Sequence, residues 1–334
     1  MIISRTPFRV SLFGGGTDYP SWFREHGGSV LGMAIDKYCY ISVRPLPPFF
    51  EHRHRIVYSK IESVATLDEI QHPAVRGVLK HFNVQLGLEI HHDGDLPARS
   101  GLGSSSSFTV GLVNALYALD GRMRSKRQLA EEAIFIEQEL LAESVGCQDQ
   151  IWAAYGGMNR IDFGKDGSFA VRPFIMSKER VERLVGSMVL YFSGFSRIAS
   201  EVAAKQIDNM KAKEKNLHAM QELVAQAESV LIDPKGDLRE IGELLDRSWR
   251  LKRELAPGVS TGAIDEIYAA ALSAGAAGGK LLGAGGGGFL LFFVEPDRQQ
   301  ALRERLKKLI EVKFGIDRVG SSIVVYSPYG LGEA

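Results

Sequence analysis

Phe8, Val10 and Leu12 alternate with Pro7, Arg9 and Ser11. This period of two predicts a half-buried strand over 7–13, with Arg9 and Ser11 on the face opposite the apolar one. Runs rich in branched and aromatic residues predict further strands over 29–34, 38–43, 55–59 and 88–91. The period then changes. Phe108, Val110, Leu112, Val113, Leu116 and Leu119 recur at helical spacing, so helices are expected over 105–119 and 127–143. A Gly156-Gly157 turn leads to a strand over 158–163, and the polar stretch 176–182 reads as a linker. The second half opens with a strand over 187–192 and continues with helical patterns over 198–231, 237–255 and 262–274. A strand over 289–294, a helix over 297–312 and a strand over 319–327 complete it, and 330–334 are expected to fray. Segregated helices and antiparallel-looking strands predict an α+β fold rather than a doubly wound sheet.

One position breaks the helical pattern. On a helix turning about 100° per residue, Leu129, Ala133, Ile134, Leu140 and Leu141 share a face, and Glu137 projects to its middle. A carboxylate centred on an apolar face is tolerated when it is paired or holds a cation. Glu137 is therefore a candidate metal ligand; the alternative is a face only partly buried. Asp149, in Gly146-Cys147-Gln148-Asp149-Gln150, follows the predicted helix end. Alone, an aspartate there is most simply a cap.

Three glycine-rich elements punctuate the strands and helices. In Pro97-Ala98-Arg99-Ser100-Gly101-Leu102-Gly103-Ser104-Ser105-Ser106-Ser107, a Gly/Ser loop opens the 105–119 helix. Glycines let backbone N–H groups curl toward a ligand, hydroxyls add donors, and the helix N-terminus adds partial positive charge, so the loop is a candidate phosphate cradle. A flexible loop is the plain alternative. Gly14-Gly15-Gly16-Thr17-Asp18 follows the first strand and puts a carboxylate on a glycine hinge; a hairpin turn with an Asp cap is the alternative. The third element, Lys280 to Phe289, holds Gly283-Ala284-Gly285-Gly286-Gly287-Gly288. It fits Gly-x-Gly-x-x-Gly but runs into a strand, so it is not a dinucleotide fingerprint. Gly278-Gly279-Lys280 is followed by Leu281 and lacks the upstream glycine of a nucleotide P-loop.

Composition narrows the classes. The 334 residues suggest two domains, and 45% hydrophobic content supports a sizeable core. A net charge of zero argues against a general nucleic-acid or membrane-surface binder. No signal peptide is expected, and no apolar run approaches the ~20 residues that span a bilayer. Cys39 and Cys147 are too few for a disulfide framework, so a cytoplasmic location is expected. Cys147 reads as a small buried thiol rather than a nucleophile.

Taken together, the elements over 7–18, 97–107 and 280–289 resemble the three motifs of the GHMP kinase superfamily, in order and at suitable spacing, across essentially the whole chain. The resemblance implies two domains: 1–180, like ribosomal protein S5 domain 2 and binding ATP and sugar, and 181–334, ferredoxin-like. ATP and substrate would meet between them. The resemblance further implies that Gly101, Leu102, Gly103, Ser104, Ser105 and Ser106 hold the ATP phosphates, and that Ser105 and Glu137 hold Mg2+, with Ser104 and Ser106 open as alternatives to Ser105. Asp149 matches the catalytic aspartate of the galactokinase branch and Arg9 the arginine beside it. Gly15, Gly16, Thr17, Asp18, Gly285 and Gly286 would contact substrate.

The Gly-Gly-Gly-Thr-Asp-Tyr-Pro run departs from Gly-Glu-His-Thr-Asp of galactokinases. It looks like the bacterial kinases that phosphorylate D-glycero-D-manno-heptose 7-phosphate at the anomeric carbon; fucokinase domains are the rival. A 7-phosphate needs cations, and Arg197 or the His52-Arg53-His54-Arg55 run are candidates, though each is more simply a solvated residue. Expected ligands are ATP, Mg2+ and a small sugar phosphate, with no nucleic acid, no membrane, and a homodimer left open. A nonenzymatic sugar sensor on the kinase fold stands as the other class of reading.

Overall fold

The computed structural model describes residues 1–194 and 199–328, with side chains from residue 202 in the second stretch. The first half contains β1 (Ile2–Phe13), α1 (Pro20–His26), β2 (Gly28–Pro45), β3 (His54–Val57), β4 (Ile61–Val64), α2 (Pro73–His81), β5 (Leu88–Gly94), α3 (Ser104–Leu119), α4 (Lys126–Phe135), α5 (Gln148–Tyr155), β6 (Met158–Phe163) and β7 (Phe169–Pro173). The second contains α6 (Lys178–Gly186), β8 (Met188–Phe192), α7 (Ala199–Asn209), α8 (Glu214–Ile232), α9 (Arg239–Arg253), α10 (Gly262–Ser273), β9 (Gly278–Leu281), β10 (Phe289–Phe293), α11 (Gln299–Arg305), β11 (Ile310–Val312) and β12 (Ser322–Tyr326).

The expected strands at 29–34 and 38–43 are one. β2 runs through both because its first part pairs with β6 and its last part with β5, while β1 lies along its length with a register shift between Pro7 and Phe8. These strands form an eight-stranded sheet, ordered β12-β1-β2-β5-β3-β4, with β6 and β7 branching from β2. A second, antiparallel sheet has the order β11-β8-β10-β9. Helices and mainly antiparallel strands segregate in both halves, which is the α+β class.

Residues 28–35 of β2 are all buried, so both faces of the sheet are covered there. Helices α3 and α5 pack on β1, and α8 from the second half packs on β1 and β2. One continuous core follows, joining Leu12, Leu31 and Trp152 to Leu223, Val224 and Leu291. Burying a Leu or Val side chain contributes roughly 1.5–3 kcal/mol. The stripe Val110, Leu112, Val113 and Leu116 therefore anchors α3 firmly, and with it the serines at its N-terminus.

Several boundaries differ from the sequence reading. The 127–143 helix ends at Phe135 and continues as a single π-helical turn, Ile136–Leu140, before Ala142 takes a left-handed conformation (φ 51°). The 176–182 linker is instead the start of α6, whose N-terminus is capped by Ser177 accepting from the Arg180 N–H at 3.2 Å. The 198–231 helix is broken around Met210 by a short 3₁₀ turn, Lys211–Lys213. The 297–312 helix stops at Arg305 because Ile310–Val312 pairs with β8. Residues 148–155 form a helix rather than a loop. Among the described residues, no helix is long and apolar enough to cross a membrane.

Candidate active site

Arg9 leaves the polar face of β1 and meets Asp149 in the first turn of α5. Nε and Nη2 donate to Oδ1 and Oδ2 at 2.7 and 2.6 Å, a two-pronged charge-assisted contact. The remaining nitrogen, Nη1, donates to the Gly101 carbonyl at 2.6 Å, and the Arg9 N–H donates to the Leu102 carbonyl at 3.0 Å. One residue thus ties the carboxylate to the Gly/Ser loop. Ser11, two positions on, donates to Gln148 Oε1 at 2.7 Å.

Gly103 caps α3 in the left-handed region (φ 75°) and brings no side chain to the free N–H groups of the first turn. A Cβ there would lie 3.3 Å from Asp149 Oδ2 and 3.2 Å from Arg9 Cγ, so glycine lets the ion pair approach the helix end. The result is an open helix N-terminus beside Ser104, Ser105 and Ser106, suited to an anion. Ser104, Ser105, Ser106, Gly101 and Gly103 all line a cleft of about 980 Å³, together with Arg9, Asp18 and Asp149. Leu102 is not part of that wall; its side chain is buried in the core.

Glu137 lies fully buried on the π-helical turn. The serine facing it is Ser106, which donates to Oε2 at 2.8 Å, with Gln150 Nε2 donating to the same oxygen. Ser105, the expected metal partner, is exposed instead; one step along a helix turns the side chain by about 100°. Burial pushes the Glu137 carboxyl up to about 7, against the hydroxyls of Thr109 and Ser106. Its Oε1, like Gln150 Oε1, is buried without a hydrogen-bond partner. An orphaned carboxylate oxygen next to a serine hydroxyl is a hard-oxygen donor set that fits a divalent cation such as Mg2+.

The first glycine element closes the other side of the cleft. Asp18 is buried; the Gly16 N–H donates to its Oδ1 at 2.9 Å and the Gln148 N–H to Oδ2 at 3.5 Å. Burial raises its pKa, opposed by the Gly16 contact. Gly15, Gly16 and Asp18 face the cleft, whereas Thr17 does not: it is buried, and its hydroxyl bonds to the Gly14 and Ser29 carbonyls. In the third element Gly283 and Ala284 reach the cleft, while Gly285 and Gly286 pack against Val259. Gly283 and Gly101 interlock: a Cβ on Gly283 would lie 2.5 Å from Gly101 Cα, and one on Gly101 2.5 Å from the Leu282 carbonyl oxygen.

Arg53 and Arg55 stand apart from the cleft, holding the Gln85 carbonyl and Glu89. Arg197 lies outside the described residues. Cys147 is a buried free thiol pushed up to about 12 by burial, which suits packing and not nucleophilic attack.

Two buried lysines of the cleft, Lys252 on α9 and Lys280 on β9, carry no site expectation from the sequence, Lys280 entering only as the start of the third glycine element. Lys252 follows Ile241, Leu244, Leu245 and Trp249 on the buried face of α9, so the helical projection that singled out Glu137 would have found it. The cleft also holds an aromatic end. His72 stacks on Phe108 with centroids 4.9 Å apart, while Tyr58 and His92 meet them edge-on. Their spacing in the sequence carries no signal, since four elements bring them together.

Residues 70–157 match the GHMP kinases N terminal domain model, and residues 219–311 the GHMP kinases C terminal model. The chain is 30% identical over 320 residues to a D-glycero-alpha-D-manno-heptose 7-phosphate kinase of Campylobacter jejuni, covering 92% of this chain and 93% of that protein. A bifunctional fucokinase/GDP-fucose pyrophosphorylase of Arabidopsis thaliana is 28% identical over 78% of this chain and 27% of that protein. In fold, the chain is similar to a D-glycero-D-manno-heptose 1-phosphate kinase from Bacteroides thetaiotaomicron, with a TM-score of 0.79, 24% identity, and coverage of 98% and 100%.

Proposed function

The chain belongs to the GHMP kinases, and from that premise we propose that it transfers the γ-phosphoryl group of ATP to the anomeric C1 hydroxyl of D-glycero-D-manno-heptose 7-phosphate. That it is a phosphotransferase with an alcohol acceptor, a sugar kinase of this family, follows from its relatives. The observation that carries the mechanism is the Arg9–Asp149 pair beside the open N-terminus of α3.

Phosphoryl transfer asks for alignment and charge neutralisation more than covalent chemistry. The N–H groups of Ser104, Ser105 and Ser106 and the hydroxyls of Ser104 and Ser105 bind the phosphates, and Arg9 neutralises charge beside them. Asp149 accepts the proton of the attacking sugar hydroxyl, with Arg9 fixing the carboxylate plane. Ser106 and Glu137 are the residues to hold Mg2+, which when bound supplies positive charge to the phosphate oxygens. Asp18, Gly15 and Gly16 bind sugar hydroxyls, and Gly283 and Ala284 close the wall behind them. The aromatic end built by Tyr58, His72, His92 and Phe108 suits a nucleotide base. The proposed domain boundary at 180 would cut the start of α6, and β12 from the second half joins the first sheet.

An ADP-release assay with Mg-ATP tests this reading against heptose 7-phosphate, mannose, mannose 6-phosphate, fucose, galactose and mevalonate. Selective turnover of the heptose 7-phosphate is the expected result. Preference for fucose or another unphosphorylated sugar would keep the mechanism and overturn the substrate. Silence across the panel would favour a sensor on the kinase fold.

A further inference from the structure

Two buried lysines of the cleft wall, Lys252 and Lys280, have no role in the scheme above. Lys252 Nζ donates to the carbonyls of Leu281, at 3.4 Å, and Gly283; Lys280 Nζ donates to the Leu12 carbonyl at 2.8 Å. Lys252 is 6% exposed and Lys280 2%. Burial, with Lys252 and Arg9 nearby, holds the Lys280 amine well below the usual lysine range, so Lys252 supplies the positive charge of this wall; carbonyl dipoles offset only part of the cost of burying it, which suits an anion.

Their placement says which anion. The charged groups facing Lys252 are Arg9 on β1, Asp18 after it, Asp149 on α5 and Lys280 on β9. Gly283, whose carbonyl Lys252 holds, interlocks with Gly101, and the Gly101 carbonyl accepts from Arg9. Lys252 therefore stands within electrostatic reach of Arg9, where the phosphate loop meets the third glycine element.

We propose that Lys252 binds the γ-phosphoryl group of the nucleotide opposite Arg9, and that Lys280 positions this wall by pinning β9 to the end of β1. The proposal rests on the kinase reading. As the bond from phosphorus to the β,γ-bridging oxygen breaks, its electron pair leaves with ADP. The sugar oxygen forms the new bond and gives its proton to Asp149. Lys252 keeps its proton throughout and offsets charge on the γ-oxygens. Lys280 touches no reacting atom and is a positioning residue.

Burial and the nearby Arg9 pull the Lys252 ammonium down to about 8, with Asp18 and Asp149 opposing. A group needed as a cation then fails above that pH in the free enzyme, so kcat/KM falls on the alkaline side. Arginine stays charged there.

Calorimetric titration of the full chain with ADP and with a non-hydrolysable imido analogue of ATP tests the contact without any sugar. Wild type, Lys252→Met and Lys252→Arg are compared, with thermal midpoints as the folding control. Wild type is expected to prefer the triphosphate. Lys252→Met should lose that preference by about tenfold and leave ADP affinity within about twofold, one charged contact being at stake. Its kcat should fall about 100-fold or more, while Lys252→Arg recovers about tenfold of that loss and moves the alkaline limb upward. A Lys252→Met enzyme that keeps its triphosphate preference, or loses only sugar affinity, overturns the proposal. So does an alkaline limb that stays put in Lys252→Arg. If wild type phosphorylates no sugar, the kinase reading fails, and the nucleotide titration still decides Lys252.

Discussion

Arg9 and Asp149 are 140 positions apart and meet because α5 packs on β1. Asp149→Asn keeps the side-chain size beside Arg9 but replaces one of its two accepting oxygens with an N–H donor and removes the proton acceptor. Its kcat should fall by about 10²–10⁴, the range of a general base, while the chain still unfolds in one cooperative thermal transition at a somewhat lower midpoint. Near-normal turnover would take Asp149 out of that role. The serines are separable in the same way. Ser106→Ala and Glu137→Gln should raise the Mg2+ concentration for half-maximal activity by about 10–100-fold, and Ser105→Ala much less. A larger effect at Ser105 than at Ser106 would restore the Ser105 ligand that the family resemblance implies. Glu137 was legible because a carboxylate stood on an apolar helical face. Which of four successive serines faces it was not, since that depends on the rotation of α3 against the π-helical turn. Gln148 and Gln150 gave no sign at all: each acquires its partner only in the folded chain, Ser11 for one and Glu137 for the other.

Among the elements, the glycine loops show how backbone can be a functional part. Gly101 and Gly283 meet with no room for a Cβ, which joins the phosphate loop to the third element and puts the latter in the cleft wall. Gly283→Ala, at φ 72° and against backbone, should cost about 2–3 kcal/mol in urea unfolding. It should also weaken nucleotide binding, because the phosphate loop must give way; an unaffected nucleotide affinity would mean that the loops move independently. The elements that sequence periodicity missed were the short ones. α5 spans Gln148–Tyr155, and its burial comes from Ile151, Trp152, Ala153 and Ala154 together, too few turns for a period to declare itself. The π-helical turn escaped for a different reason: it keeps apolar spacing close to that of the α-helix it extends, and only the backbone distinguishes them.

For the whole molecule, the last strand returns to the first. β12 pairs with β1, and the Asp317 N–H donates to the Ala34 carbonyl at 3.1 Å. A chain ending at Gly315 loses that edge strand and the contact of Ser321 N–H with the Ala153 carbonyl on α5. It should unfold at clearly lower urea and lose kinase activity; a full chain and a shortened one with equal midpoints would show that β12 is dispensable. Taken alone, the sequence determined the three glycine elements, the α+β class, the helices α3, α9 and α10 and the placing of Glu137 on an apolar helical face, because period, glycine and apolar placement are local properties. Tertiary structure decided what those parts face. It put Ser106 rather than Ser105 on Glu137, turned Thr17, Gly285 and Gly286 away from the cleft, and set Lys252 and Lys280 into its wall. These outcomes depend on how a helix is rotated and which strand lies beside it, and residues far apart in the chain fix both together through the shared core.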